Sequence, residues 1–246
     1  MEVHKLRIGG RWVNVYRIGR SDLVSVIIGV REGLPPNLDS VKKQTFRDYE
    51  IIIVSGPGTP TSSHARNLGI RFSKTKFIAF LDDDAYPAPD WLEQLLQAYK
   101  LSGGDIIESY VINPQPRYLK WDIPRVPDLS QIWVANFALY PRYIFEKIGF
   151  YDEHFGKRAF NEVDLSVRAL KKGFKIRAWS KARVNHKHSL YGRFPPGSRG
   201  LTWQSLFYFL FKHPIYGFLF LMALNPLTHR FWTHYIANKL AFWKIF

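Results

Sequence analysis

The stretch Phe77-Ile78-Ala79-Phe80-Leu81-Asp82-Asp83-Asp84 decides how this chain is read. A short apolar run rich in aromatic and branched side chains reads as a buried strand. Acids at its carboxyl end emerge at the rim of a sheet, where open α/β folds bind ligands. Carboxylates this close repel one another, and a hard divalent cation relieves the repulsion. The same acids would also serve as a solvated turn and helix cap before Pro89, because Asp is a common capping residue.

Two further features favour a site over a cap. Asn161-Glu162-Val163-Asp164-Leu165 opens a segment that reads as a helix ended by Gly173. Glu162 and Asp164 fall in its first turn, where the helix dipole favours anions, so capping again competes with chemistry. His186 follows in Val184-Asn-His-Lys-His-Ser189, just after an expected strand. Three acids, a second acid pair and a late His together point to cation-assisted group transfer.

Outward from these segments the chain alternates strands and helices. Residues 4–18 read as a hairpin around Gly9-Gly10, a turn signal between alternating strands. Val24–Ile28 and Glu50–Val54 read as buried strands. Helices are expected after Pro36 through Gln44, over Ala65–Phe72 with Thr61 or Ser62 as cap, and from Pro89 to Lys100. A strand near Asp105–Val111 follows, then an irregular loop over 113–130 carrying four prolines. Ile132–Leu139 reads as strand and Pro141–Ile148 as helix. This alternation implies an α/β fold with a mostly parallel sheet.

The 246 residues suffice for one sizeable core with a peripheral element. There are no cysteines, which excludes disulfides and thiolate chemistry. Met1–Arg20 is polar and basic without an apolar core, so no secretory signal is expected there. The net charge is +15, unevenly placed. From Leu165 to Phe246 there are fourteen Lys or Arg and no Asp or Glu, so nearly all the excess lies in the final third. Such asymmetry points to an anionic partner: nucleic acid, phosphorylated substrate or membrane surface. Beyond Gly200 the chain is crowded with Trp, Tyr and Phe in two apolar stretches, 203–211 and 215–224, divided by Lys212-His213-Pro214. Each is too short to span a bilayer, and the mixture suits an interface. Packing on the main domain or a dimer contact are the competing readings. The aromatics stand in long apolar blocks and are not interleaved with Lys and Arg, which argues against nucleic acid.

Taken in order, these motifs resemble those of family-two inverting glycosyltransferases of the GT-A (nucleotide-diphospho-sugar transferase) fold. The resemblance runs from about Val24 to His188. "VSVIIGVRE" resembles the family's first strand and nucleotide loop, "EIIIVSGPGT" its second strand, and "ARNLGI" the helix beside the nucleotide. "IAFLDDDAYPAPDWLEQL" resembles the donor and metal motif and is the most specific segment. "ANFALYPRYIFEKIGFYDEHF" with "NEVDLSVRALKKGFKI" resembles the acceptor half, and "VNHKHS" the late His motif.

The resemblance implies a Rossmann-like sheet flanked by helices over 1–200, with 201–246 a C-terminal aromatic and basic helical extension. It implies a UDP-, GDP- or dTDP-linked sugar donor, a glycan or lipid-linked acceptor, and Mg2+ or Mn2+. By the match, Asp84 and His186 hold the cation, with Asp82 a further candidate. Gly29, Val30, Glu32, Ser55, Arg66, Asp82 and Asp83 line the donor. Glu162 stands at the position of the base, usually Asp, and Asp164 beside it. Asn161 stands where the family often has Glu. Ser55 replaces an Asp that accepts from the nucleobase, and Gly29-Val-Arg-Glu32 replaces Pro-Thr-Tyr-Asn.

The leading expectation is a glycosyltransferase at the cytoplasmic face of a membrane, held peripherally on anionic lipid. A catalytically inactive nucleotide- or glycan-binding relative is the alternative, motivated by Ser55 and Asn161. A basic nucleic-acid-binding protein is the third reading.

Overall fold

Alternate residues of the central strands enter two different cores, and this sets the architecture. The computed structural model describes residues 1–112, 130–131, 137–155, 160–187 and 199–217, with backbone alone at 130–131 and 199–203. The strands are β1 (Glu2–Ile8), β2 (Arg11–Ile18), β3 (Val24–Val30), β4 (Tyr49–Ser55), β5 (Phe77–Asp82), β6 (Ala85–Pro87), β7 (Ile106–Ile112), β8 (Ser130–Gln131), β9 (Ala138–Pro141) and β10 (Ile176–His186). The helices are α1 (Leu38–Lys42), α2 (Ser62–Phe72), α3 (Trp91–Leu101), α4 (Arg142–Ile148), α5 (Asn161–Lys171) and α6 (Arg199–Lys212). Successive strand side chains point to opposite faces. Ile27, Ile52, Ile78 and Phe80 therefore pack with residues of α2, α4 and α5. Val26, Ile28, Ile51, Ile53, Ala79 and Leu81 pack with residues of α1 and α3. The result is a sheet covered by helices on both faces.

The sheet runs β1-β2-β4-β3-β5-β9-β7-β10-β6, with β8 paired to β10. It is mixed, where a mostly parallel sheet was expected. β4, β3 and β5 pair in parallel at the centre, and so do β7 and β10. β9 enters antiparallel between β5 and β7. Its four residues, Ala138–Pro141, are too few to advertise direction in sequence, and the helix after them begins at Arg142. The N-terminal hairpin adds β1 and β2 antiparallel to β4. Gly9 and Gly10 both adopt positive φ, 54° and 78°, as a two-residue hairpin turn requires. The proline-rich stretch 113–129, most of the strand expected over 132–139, and the tail aromatics beyond Gly217 lie outside the described residues.

β10 pairs with β7 up to Trp179, shifts register, and resumes at Arg183. A bulge of this kind bends a strand and re-aims its end. The last three residues of β10 then pair antiparallel with β6, setting His186 opposite Ala85. Helix α6 straddles the boundary expected at 200/201. Phe209 is buried with Phe155, Phe160 and Val167, so this helix packs on α5.

Candidate active site at the carboxyl rim

Small residues open the way to the site. Gly29, the next-to-last residue of β3, stands in register with Asp82, and a Cβ there would lie 3.0 Å from the Cβ of Ala65. A Cβ on Gly69 would lie 2.4 Å from Ile27 Cγ2. Close approach of backbone to neighbour is what glycine permits. It lets α2 lie against β3 and brings Arg66 to the rim.

Arg66 is buried and bridges two acids. Its Nη1 donates to Glu162 Oε1 at 2.6 Å and its Nη2 to Asp82 Oδ1 at 3.0 Å. Its guanidinium also lies 5.3 Å from the centre of the Tyr151 ring. Burial alone would lower the Arg66 pKa, but the charges of Glu162 and Asp82 outweigh it and hold the pKa above the ordinary value. Burial also pushes the Tyr151 hydroxyl well up, which keeps it a neutral phenol. Asn67, next to Arg66, donates to Tyr151 O at 2.9 Å and to Glu153 Oε1 at 2.8 Å, and accepts from Tyr151 N. The loop before α5 is thereby tied to α2.

Helix α5 presents Glu162 from its first turn. The residue before the helix, Phe160, has φ +70°, an uncommon conformation for a bulky side chain. Its ring stacks on Phe209 of α6 at 5.3 Å. Asn161 donates to Ser62 Oγ and Ser63 Oγ at the start of α2. Its amide thus joins the two helices that carry Arg66 and Glu162.

Asp82, Asp84 and His186 form the second half of the site. Each offers one ligand atom, and these atoms lie within 4.8 Å of one another. His186 Nε2 is 3.0 Å from Asp84 Oδ1. Lys187 N donates to Asp84 O at 2.9 Å, fastening the acid turn to the end of β10. Carboxylate oxygens suit hard divalent cations, and one imidazole nitrogen suits Mn2+ better than Mg2+. The donor set therefore fits a divalent cation.

The structure brings Arg66, Asp82, Asp84, Glu162 and His186 together at one rim. Asp83 is the middle residue of the turn. Gly29, Val30 and Ser55 lie along the same rim, Val30 and Ser55 side by side in register, with Glu32 exposed beyond β3. Asp164 does not join this group. Two helix positions apart, side chains do not share a face. Asp164 is 0% exposed and turns to the end of α6, where it accepts from His213 Nε2 and Lys212 Nζ, both at 2.8 Å; it also accepts from Arg168 of its own helix.

Sequence reasoning missed Asn37, Asn67 and the partners of Asp164. Asn37 Nδ2 donates to the carbonyls of Asp82 and Ala85, 45 and 48 residues away. Asp152 meets Lys212 Nζ at 2.5 Å and Tyr208 OH at 3.0 Å. Such pairs leave no local pattern.

The sequence profile described as "Glycosyl transferase family 2" matches residues 58–161, a span that includes Arg66 and the acid turn. Among curated proteins the chain is similar to a glucosyl-dolichyl phosphate glucuronosyltransferase of Haloferax volcanii, 23% identical over 203 residues, covering 63% of this chain and 64% of the relative. It is also similar to an uncharacterized glycosyltransferase of Rickettsia prowazekii, 28% identical, covering 57% of this chain and 55% of the relative. A pre-mycofactocin glycosyltransferase of Mycobacterium tuberculosis is 27% identical, covering 56% and 33%. The chain thus spans between 33% and 64% of the lengths of these relatives.

Proposed function

We propose that this chain, whose residues 58–161 match the profile of glycosyl transferase family 2, acts as a glycosyltransferase of that family and transfers a sugar from a nucleotide-diphospho-sugar to a hydroxyl acceptor with inversion. The observation that carries the reading is the Arg66 bridge, which sets Glu162 and Asp82 on either side of one buried guanidinium. A base and a donor-binding acid on one rim are what a single displacement needs.

In this reading Glu162 takes the proton of the acceptor hydroxyl as its oxygen attacks the anomeric carbon. The bond from that carbon to the diphosphate breaks, and the nucleoside diphosphate leaves. Asp84, His186 and Asp82 would hold Mg2+ or Mn2+, which supplies neutralising charge for the leaving diphosphate. Arg66 holds and orients the Glu162 carboxylate, while Gly29, Val30, Glu32, Ser55 and Asp83 line the nucleotide. Replacement of the usual Asp by Ser55 removes a charged acceptor from the base pocket and bears on which nucleotide fits.

The acceptor we favour is lipid-linked, at the cytoplasmic face of a membrane. The name of the Haloferax relative includes a dolichyl phosphate sugar. Two features of this chain agree: the acid-free, basic final third, and Phe207 and Phe211, which are 65% and 88% exposed on α6. Among the described residues no helix is long and apolar enough to cross a membrane. The test is a screen of UDP-, GDP- and dTDP-sugars with Mn2+ or Mg2+, read by melting temperature and by release of nucleoside diphosphate. One donor should raise the melting point only with the cation, since a ligand of the native state stabilises it. No shift and no release with any donor would favour the inactive-relative reading.

A further inference from the structure

We propose that Asn37 is a positioning residue that sets the spacing of the Asp82–Asp84–His186 cluster, an inference that rests on the cation reading above. Asn37 stands just before α1, in the place of a helix cap. Asn there usually accepts from a backbone N–H of the first turn. Here the side chain makes no capping bond. It is 0% exposed and reaches across to the acid turn.

Both amide hydrogens are used. Nδ2 donates to Asp82 O at 2.8 Å and to Ala85 O. These two carbonyls are the ends of the turn: Asp82 closes β5 and Ala85 opens β6. Two carbonyl acceptors fix the amide orientation, because the flipped amide would set its oxygen against both of them. The other side-chain atom, Oδ1, is buried and has no hydrogen-bond partner among the described residues. A residue present only to pack or to cap would avoid both the forgone cap and the orphaned acceptor. The arrangement makes sense if the two turn carbonyls must be held at a fixed separation.

That separation matters because the ligand atoms depend on it. β6 has three residues and pairs with the end of β10, so Ala85 sits opposite His186. Asn37 grips the turn from α1, and Lys187 N grips Asp84 O from β10. Held from both sides, the turn keeps the carboxylates of Asp82 and Asp84 within reach of His186. Residues behind metal ligands orient them, and their loss typically weakens metal affinity about 10- to 100-fold.

The test compares wild type with Asn37→Asp and Asn37→Ala. Asn37→Asp keeps the shape but puts an acceptor against two carbonyls, and Asn37→Ala removes the grip. Three quantities are read: Mn2+ affinity by electron paramagnetic resonance, hydrogen exchange of the amides of 84–86, and melting temperature. The expected result is Mn2+ binding weaker by about 10- to 100-fold, faster exchange confined to the turn, and folded variants, with Asn37→Asp at least as impaired as Asn37→Ala. Unchanged Mn2+ affinity and unchanged exchange in either folded variant would overturn the proposal. Failure of both variants to fold would also overturn it, since Asn37 would then hold the sheet together and not the turn. If wild type takes up no Mn2+, the cation reading fails, and the exchange of 84–86 alone decides whether Asn37 positions the turn.

Discussion

Glu162 and Asp164 lie two residues apart on one helix turn and live in opposite surroundings. Glu162 faces the rim, partly exposed, and is held by Arg66 of α2. Asp164 faces α6, is fully buried, and is held by Arg168, Lys212 and His213. The first carboxylate is placed where a ligand can reach it; the second is spent on joining two helices. Sequence position alone makes them look alike, since both sit in the first turn where the dipole favours anions. The helical period separates them.

The comparison is broken most directly by exchanging the effects. Glu162→Gln should leave the melting point and donor affinity near wild type and cut turnover by about 10²- to 10⁴-fold, the usual loss when a general base is removed. Steady-state kinetics with the donor found in the screen would check it. Turnover close to wild type would remove Glu162 from the base role. Asp164→Ala should do the reverse. It leaves Arg168 without its carboxylate and Lys212 with Asp152 alone, and breaking a buried pair costs about 3–5 kcal/mol. Urea unfolding should show that loss, while turnover per folded molecule falls far less than in Glu162→Gln.

Much of the fold was legible because its signals are local. The apolar runs of β3, β4 and β5, the Gly9-Gly10 turn and the Thr61 cap of α2 each follow from a few neighbouring residues. His64 N indeed bonds to Thr61 Oγ1. The acid turn could be singled out because three acids close one apolar run, and the structure sets His186 beside it. Asn37 was not legible, since an Asn before a helix already has an ordinary explanation as a cap. Nor were the antiparallel entry of β9 and the pairing of Asp152 and Asp164 with Lys212 and His213. Those depend on contacts between residues 48 to 64 positions apart, which no periodicity records.

The acids under α6 should also give that helix a pH limit. Burial would raise the Asp164 pKa, but His213, Arg168 and Lys212 outweigh it and hold it below the ordinary Asp range. For Asp152, burial is likewise outweighed, by Lys212, by His154 and by Tyr208. A carboxyl whose folded pKa is depressed contributes stability that is fully present above its unfolded value, about 3.9, and is lost as pH falls toward the folded pKa. Stability should therefore not decline on this account between pH 7 and 5, and should fall below about pH 4. Limited proteolysis within 199–217 as a function of pH would check it. In Asp164→Ala the remaining acid-dependent step should be smaller.

The two faces of α6 should respond very differently, and the smallest effect on stability belongs to the outward one. Phe209 is buried between Phe155, Phe160 and Val167, so Phe209→Ala should cost about 3–5 kcal/mol, as for other buried aromatics. Phe207 and Phe211 lie outward, one turn apart, and replacing both by Ser should change stability by no more than about 0.5 kcal/mol each. If the outward face meets lipid, the double variant should nonetheless lose binding to vesicles. Its attraction to anionic lipid should persist in part, because basic residues contribute up to roughly 1 kcal/mol each where they reach the surface. Flotation with anionic and neutral vesicles, at low and high salt, separates the two contributions. Loss on both lipids for the Phe variant, with salt weakening only the anionic case, assigns insertion to the aromatics and attraction to the charges. Equal binding by wild type and variant would mean that α6 serves only to hold α5, and that any membrane contact is made elsewhere in the chain.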